Sequence, residues 1–210
     1  MITAPRLRLF AVFAFVSAQL LLLKPNTFAQ EPERLSPDAV LREINLAREN
    51  PRAYAAFVQD SRPFHMVEHG RAVDEAIRFL TKARPLGPLK LSPGMCRAAA
   101  DHCSEQAGGE MGHSGAGHTS PGDRLNRYGS WLTSYGENIS YGRKTSREVV
   151  VALIVDDGTR SRGHRKNIFN SKFTVAGVAT GSHARFGTIC TTDFAGAYAE
   201  RGEALVARNP

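Results

Sequence analysis

Two short stretches decide how this chain is read: YGENISYG at Tyr135–Gly142 and, a helix later, SRGHRKNIF at Ser161–Phe169. In each, one ionisable residue stands beside a glycine where the hydrophobic periodicity breaks. Glu137 lies between Gly136 and Asn138, and His164 between Gly163 and Arg165. Glycine lets the backbone come close to a neighbouring surface, and Asn138 and Asn167 have side chains that bond local backbone and fix turns. The expectation is that two loops present Glu137 and His164 into one cleft, held apart by the helix Glu148–Val155. Tyr135 and Tyr141 read as packing residues.

Working outward, helix signals dominate the first two thirds of the chain. Ser36-Pro37-Asp38 is a start signal, with a capping serine, proline in the first turn and an early acid. Val40, Leu41, Ile44, Ala47 and Ala55 follow at helical spacing, and Asn50-Pro51 predicts a kink or a break into two helices. Val73–Ala83 reads as another helix, RPLGPLKL as an extended connector, and Ser92-Pro93 as the start of a helix that Gly108-Gly109 would cap. Gly112–Asp123 reads as a Gly/Ser/His loop, and Ser120-Pro121 opens a short helix. Thr145-Ser146-Arg147-Glu148 is a capping box ahead of VVVALIVDD, which is apolar nearly all round and so belongs in the core. GTRSRGHRKNI reads as a loop. FTVAGVATG and GTICTTDFAGAY, joined by SHARF, predict an antiparallel hairpin. Helices first and strands late imply an α+β domain, a small sheet covered by helices.

The first 29 residues have the layout of a secretory signal peptide: Arg6 and Arg8, an apolar run from Leu9 to Leu23, a break at Lys24-Pro25-Asn26, and small residues before a cleavage point after Ala29. Residues 30–35 form a charged spacer, 36–199 the folded domain and 200–210 a polar tail. The apolar run is short of the roughly 20 residues a membrane span needs, so cleavage would leave no transmembrane span. The net charge is +7; removing the leader takes Arg6, Arg8 and Lys24 and no acid, leaving +4. That excess is too small and too dispersed for nucleic acid. Cys96 and Cys103 are seven residues apart on one helix, roughly 10 Å, beyond disulfide reach. A bridge would have to join Cys190 to one of them; three packed thiols are the other reading.

Seven histidines are present. His113, His118 and His164 stand in Gly-rich loops and His102 on a helix, with Glu137, Asp156 and Asp157 as nearby acids. Two imidazoles with one or two carboxylates suit a divalent metal such as zinc, and equally a polar network that holds loops together. Several catalytic templates are missing: there is no G-x-S-x-G elbow, no H-E-x-x-H, and no EF-hand spacing in DDGTRS. His102 and Cys103 are helix neighbours and so point apart.

GHSG, DRLNRYG, YGENISYG, VVVALIVDD, RGHRKNIFN, VAGVATG and CTTDFAGAY together resemble the CAP superfamily, the SCP/PR-1-like extracellular domain, in its bacterial secreted branch. Asn45, Arg48 and Pro51 match that branch's first-helix pattern, and the resemblance spans about Ala39 to Tyr198. It implies a three-layer α-β-α sandwich with a small central antiparallel sheet and a cleft holding two histidines and two acids. Carried over, His113 and His164 match the histidines, with His118 competing for the first. Glu137 matches the first acid. The second glutamate is replaced: its place falls near Asp156, with Asp157 beside it and Leu153 where tryptophan is usual. The resemblance implies zinc or another divalent cation, held by His113 and His164. It implies a secreted or periplasmic binding module for a lipid, peptide or cell-surface ligand. The alternatives are a metal-dependent extracellular hydrolase and a structural or stress-related envelope protein.

Overall fold

In the computed structural model the described residues are 33–202; the leader and residues 203–210 of the tail lie outside them. Among the described residues, no helix is long and apolar enough to cross a membrane. Seven helices and four strands follow in the order α1 Pro37–Glu49, α2 Pro51–Asp60, α3 Arg71–Lys82, β1 Lys90–Leu91, α4 Pro93–Glu105, α5 Pro121–Tyr128, β2 Gly129–Tyr141, α6 Ser146–Val155, α7 Gly163–Ile168, β3 Val175–His183 and β4 Gly187–Glu200. The sheet order is β1-β3-β4-β2, with β1 parallel to β3 and the other pairs antiparallel. One sheet face packs on α4 and α5, the other on α1, α6 and α7, giving the expected three-layer α-β-α sandwich.

The capping signals work as read. Ser36 accepts from Ala39 N, Ser92 from Met95 N, and Thr145 and Glu148 cap one another. Asn50-Pro51 breaks the first helical run in two. The α4 helix ends at Glu105, short of Gly108-Gly109. There the Gln106 side chain turns back and donates to Gly112 O, and its own oxygen accepts from the Tyr141 hydroxyl. The end of the charged spacer is docked: Leu35 N bonds Lys144 O, and Arg34 bridges Thr145.

Three readings are corrected. GENISYG is not a turn but the second half of β2, so Glu137 projects from a strand; His164 sits in the short helix α7 rather than a loop. Glycine and asparagine are weak strand formers, but long pairing with β4 overrides that preference. Gly136 is required for another reason: a Cβ there would lie 3.0 Å from the Asn167 side chain of α7. The tail reading fails at its start, because Glu200 ends β4 and its carboxylate accepts from Ser92 Oγ at 2.5 Å and Gly94 N at 2.9 Å.

The larger core joins α1, α2, α3 and α6 to Ala176, Val178, Cys190 and Phe194 of the sheet. The opposite face is thinner, with Met95, Ala98, Ala99 and Leu125 covering Ile139, Ala179, Ile189 and Ala195. Gly177 sets that thinness, since a Cβ there would fall 2.2 Å from the Met95 carbonyl carbon and 2.4 Å from Cys96 N. Backbone cannot yield as a side-chain tip does, so Gly177→Ala is expected to destabilise by about 3 kcal/mol through overpacking. Urea denaturation checks this. Cys96, Cys103 and Cys190 are free thiols. Burial pushes all three above the usual thiol range, and Cys103 donates weakly to Thr191 Oγ1 at 3.4 Å.

Candidate functional site

Strand β2 alternates sides, so Glu137 faces α4 and α5 while Asn138 faces α7. The Glu137 carboxylate is almost fully buried. Arg124 of α5, wholly buried, donates from Nη2 to Glu137 Oε2 at 2.6 Å. His113 Nδ1 lies 2.8 Å from Oε1. An ionised carboxylate only accepts, so His113 Nδ1 carries the proton and Nε2 keeps its lone pair. About half of the His113 side chain is exposed.

The loop carrying His113 is nailed down on both sides. His102, fully buried on α4, bonds Gly112 O through Nε2 at 2.9 Å. Gly112 N donates to the Tyr141 hydroxyl at 3.1 Å, and Arg124 Nη2 donates to His113 O at 3.1 Å. Tyr141 is thus both a packing residue and a clamp on this loop.

The second pair is built at the other end of α6. Asp156 ends that helix in the left-handed region (φ 55°), which turns its side chain towards α7. Its Oδ1 lies 2.7 Å from His164 Nδ1, and its Oδ2 accepts from His164 N at 2.9 Å. Burial pushes the Asp156 carboxyl up, but the bonds from His164 outweigh it and leave the group below the usual carboxylate range. An acid depressed in this way adds stability above its unfolded pKa, which is lost as pH falls through the folded value. Asp157 turns away and accepts from Val67 N and Glu68 N, stapling the loop before α3.

The pairs His113–Glu137 and Asp156–His164 are linked by two asparagines. Asn138 donates to His164 O at 3.0 Å, and Asn167 donates to Asn138 Oδ1 at 2.8 Å and to Glu137 O at 3.3 Å. His118 is exposed, sits on a short 3-10 turn (φ 62°), and contacts neither pair. Among the described residues, no three His, Cys, Asp or Glu side chains cluster as a ready metal cage. Each of the two imidazoles is oriented by its own carboxylate, at 2.8 Å for His113 and 2.7 Å for His164.

Arg124 and Asp193 were missed in the sequence. Asp193 is the cross-strand partner of Glu137 on β4, is fully buried, and neither of its oxygens meets a donor. Burial, then the charge of Glu137, push its carboxyl well above the usual range against the pull of Arg124. Two buried like charges side by side repel, so the pair favours a proton on Asp193. An acid inside the apolar run ICTTDFAG was the available signal. Because the folded state keeps a proton that the unfolded chain releases above about pH 4, this group lowers stability as pH rises through that window. Asp193→Asn is therefore expected to match the parent at acid pH and exceed it at neutral pH. The gain grows by at most about 1.4 kcal/mol per pH unit, read from melting curves across pH.

The pattern of the cysteine-rich secretory protein family, CAP, matches residues 41–194. Uncharacterized protein YkwD of Bacillus subtilis strain 168 is 27% identical over 173 residues, 81% of this chain, and the chain spans 64% of that relative's length. Among solved structures, an outer surface protein from Borrelia burgdorferi is 13% identical with a TM-score of 0.44, over 79% of this chain and 98% of that one. An extracellular protein containing a SCP domain from Bacillus anthracis strain Ames is 19% identical with a TM-score of 0.43, over 79% and 45%. With the match running from α1 into β4, this chain belongs to the CAP family.

Proposed function

We propose that this CAP-family chain is an extracytoplasmic binding module, secreted or periplasmic after loss of its leader, whose cleft captures a lipid, peptide or cell-surface ligand. The observation that supports this most is the pair of oriented imidazoles. Each histidine gives Nδ1–H to a carboxylate, at 2.8 Å for His113 and 2.7 Å for His164, so each keeps an Nε2 lone pair for a ligand. His113 and His164 would hold a divalent cation such as zinc as its protein ligands. Such an ion would supply positive charge to an anionic or carbonyl oxygen of the ligand. Glu137 and Asp156 fix ring orientation, Arg124 compensates the buried charge, and the asparagines hold β2 against α7.

Zinc titration by calorimetry tests the reading, together with native mass spectrometry of the protein recovered from culture medium. Asp156→Asn is expected to weaken zinc by about 10- to 100-fold, the usual cost of losing a partner behind a metal-bound histidine. His164→Ala is expected to remove both the ion and any copurified ligand, and also to lower the melting temperature at neutral pH by taking the donor from the buried Asp156 carboxylate. A fall in melting temperature with no change in ion or ligand content would instead make the four residues a structural network. Loss of a hydrolytic activity at unchanged stability would support the enzyme reading.

A further inference from the structure

A cavity of about 480 Å³ opens between the end of α2, the turn that follows it, and the β2–α6 connection. It shares no residue with the two histidine–carboxylate pairs. Phe57, Phe64 and Val151 line it with apolar surface. Phe64 is 74% exposed, so one ring face is left to water. Arg143 and Lys144 stand on its lining, and neither side chain has an ion-pair partner among the described residues. The acids there are Glu148, whose carboxylate is taken up by the backbone N–H groups of Lys144 and Thr145, and Asp60 at the exposed end of α2. Arg147 is neutralised by Glu43 at 2.8 Å and lies over the Phe57 ring.

His65 is the decisive group. It is only 5% exposed and lines the cavity, yet neither ring nitrogen has a hydrogen-bond partner among the described residues. Burial pushes its pKa down, Arg143 adds to that, and Asp157 opposes it, so the ring is neutral and offers one donor and one acceptor. An uncompensated cationic pair, an unpaired imidazole and an exposed aromatic wall describe one kind of guest.

We propose that this cavity binds a carboxylate joined to a compact apolar body, with Arg143 and Lys144 taking the charge, His65 a hydrogen bond, and Phe57 and Phe64 the apolar part. That chemistry is offered by the C-terminus of a peptide ending in an apolar residue and by a short aliphatic acid. Charge complementarity selects the anion; the volume and aromatic walls select the body.

The test is calorimetric titration of the full chain with N-acetylphenylalanine, with its uncharged amide, and with octanoate. The acid is expected to bind in the millimolar range or tighter, and the amide at least about tenfold more weakly. Arg143→Met with Lys144→Met is expected to cost at least about tenfold in affinity, as is Phe64→Ser, which changes an exposed side chain and spares the fold. His164→Ala leaves binding unchanged. Binding of N-acetylphenylalanine assigns the peptide source and binding of octanoate alone the aliphatic one. Three results overturn the proposal: no binding of either acid at about 10 mM, equal binding of acid and amide, or affinity lost in His164→Ala but kept in the Arg143/Lys144 and Phe64 variants.

Discussion

Arg124→Met is expected to destabilise the protein by about 5 kcal/mol, the upper range for removing one partner of a buried ion pair. Arg124 is wholly enclosed, its Nη2 holds Glu137 at 2.6 Å and His113 O at 3.1 Å, and its Nη1 donates to Thr119 O at 3.1 Å. Methionine fills part of the volume but leaves Glu137 Oε2 and His113 O without their donor and the carboxylate without its counter-charge, while Oε1 keeps His113 Nδ1 and Thr119 O keeps Gly115 N. Asp193, beside Glu137, then loses the one cation that offsets its own burial. Urea denaturation at pH 7 gives the loss, and adding Glu137→Gln to the variant should recover a substantial part of it by removing the orphaned charge. If the double variant is no more stable than Arg124→Met, the cost lies in packing and loop anchoring rather than in the charge pair.

Arg48→Met is expected to cost about 3 kcal/mol or more, taking roughly 1 kcal/mol for each of three carbonyls left unpaired; the fourth, Asn170 O, keeps Phe173 N. Arg48 on α1 is buried and donates to four backbone oxygens, Gly87 O at 3.0 Å, Ile168 O at 2.7 Å, Asn170 O at 3.2 Å and Phe173 O at 3.1 Å. One side chain thus ties the first helix to the connector before β1 and to the segment between α7 and β3. Arg48→Lys should recover little, because a single ammonium cannot span four carbonyls that a planar five-donor fork reaches. Loss of the segment after α7 would also loosen His164, so amide exchange should rise there before the strands open.

The two histidine–carboxylate pairs were partly visible in residue types. Glu137, His164 and His113 stood out because glycines flank them, and the pairing of GENI with GHRKNI made the family resemblance specific. What the residue types did not carry was the strand β2. Its alternation is hidden by Gly136 and Asn138, which look like turn chemistry until β4 pairs with them. Nor did they carry Asp193, since β4 as a strand was legible but which of its residues lies opposite Glu137 depends on register. Arg124 looked like any arginine on a short polar helix; its burial follows from α5 closing over β2.

By itself the sequence determined the capped starts of α1, α4, α5 and α6, the break at Asn50-Pro51, the buried α6, the β3–β4 hairpin and the α+β class. These rest on contacts within a few residues: caps, proline geometry and periodicity. The tertiary structure alone decided that His113 rather than His118 meets Glu137, that Asp156 rather than Asp157 meets His164, and that Asp193 lies buried opposite Glu137. Each of those choices turns on side chains from separate elements, brought together by strand register and helix packing, and on the loss of water around them. Neighbours along the chain do not encode a distance of that kind; the fold sets it when the sheet closes against α4, α5 and α7.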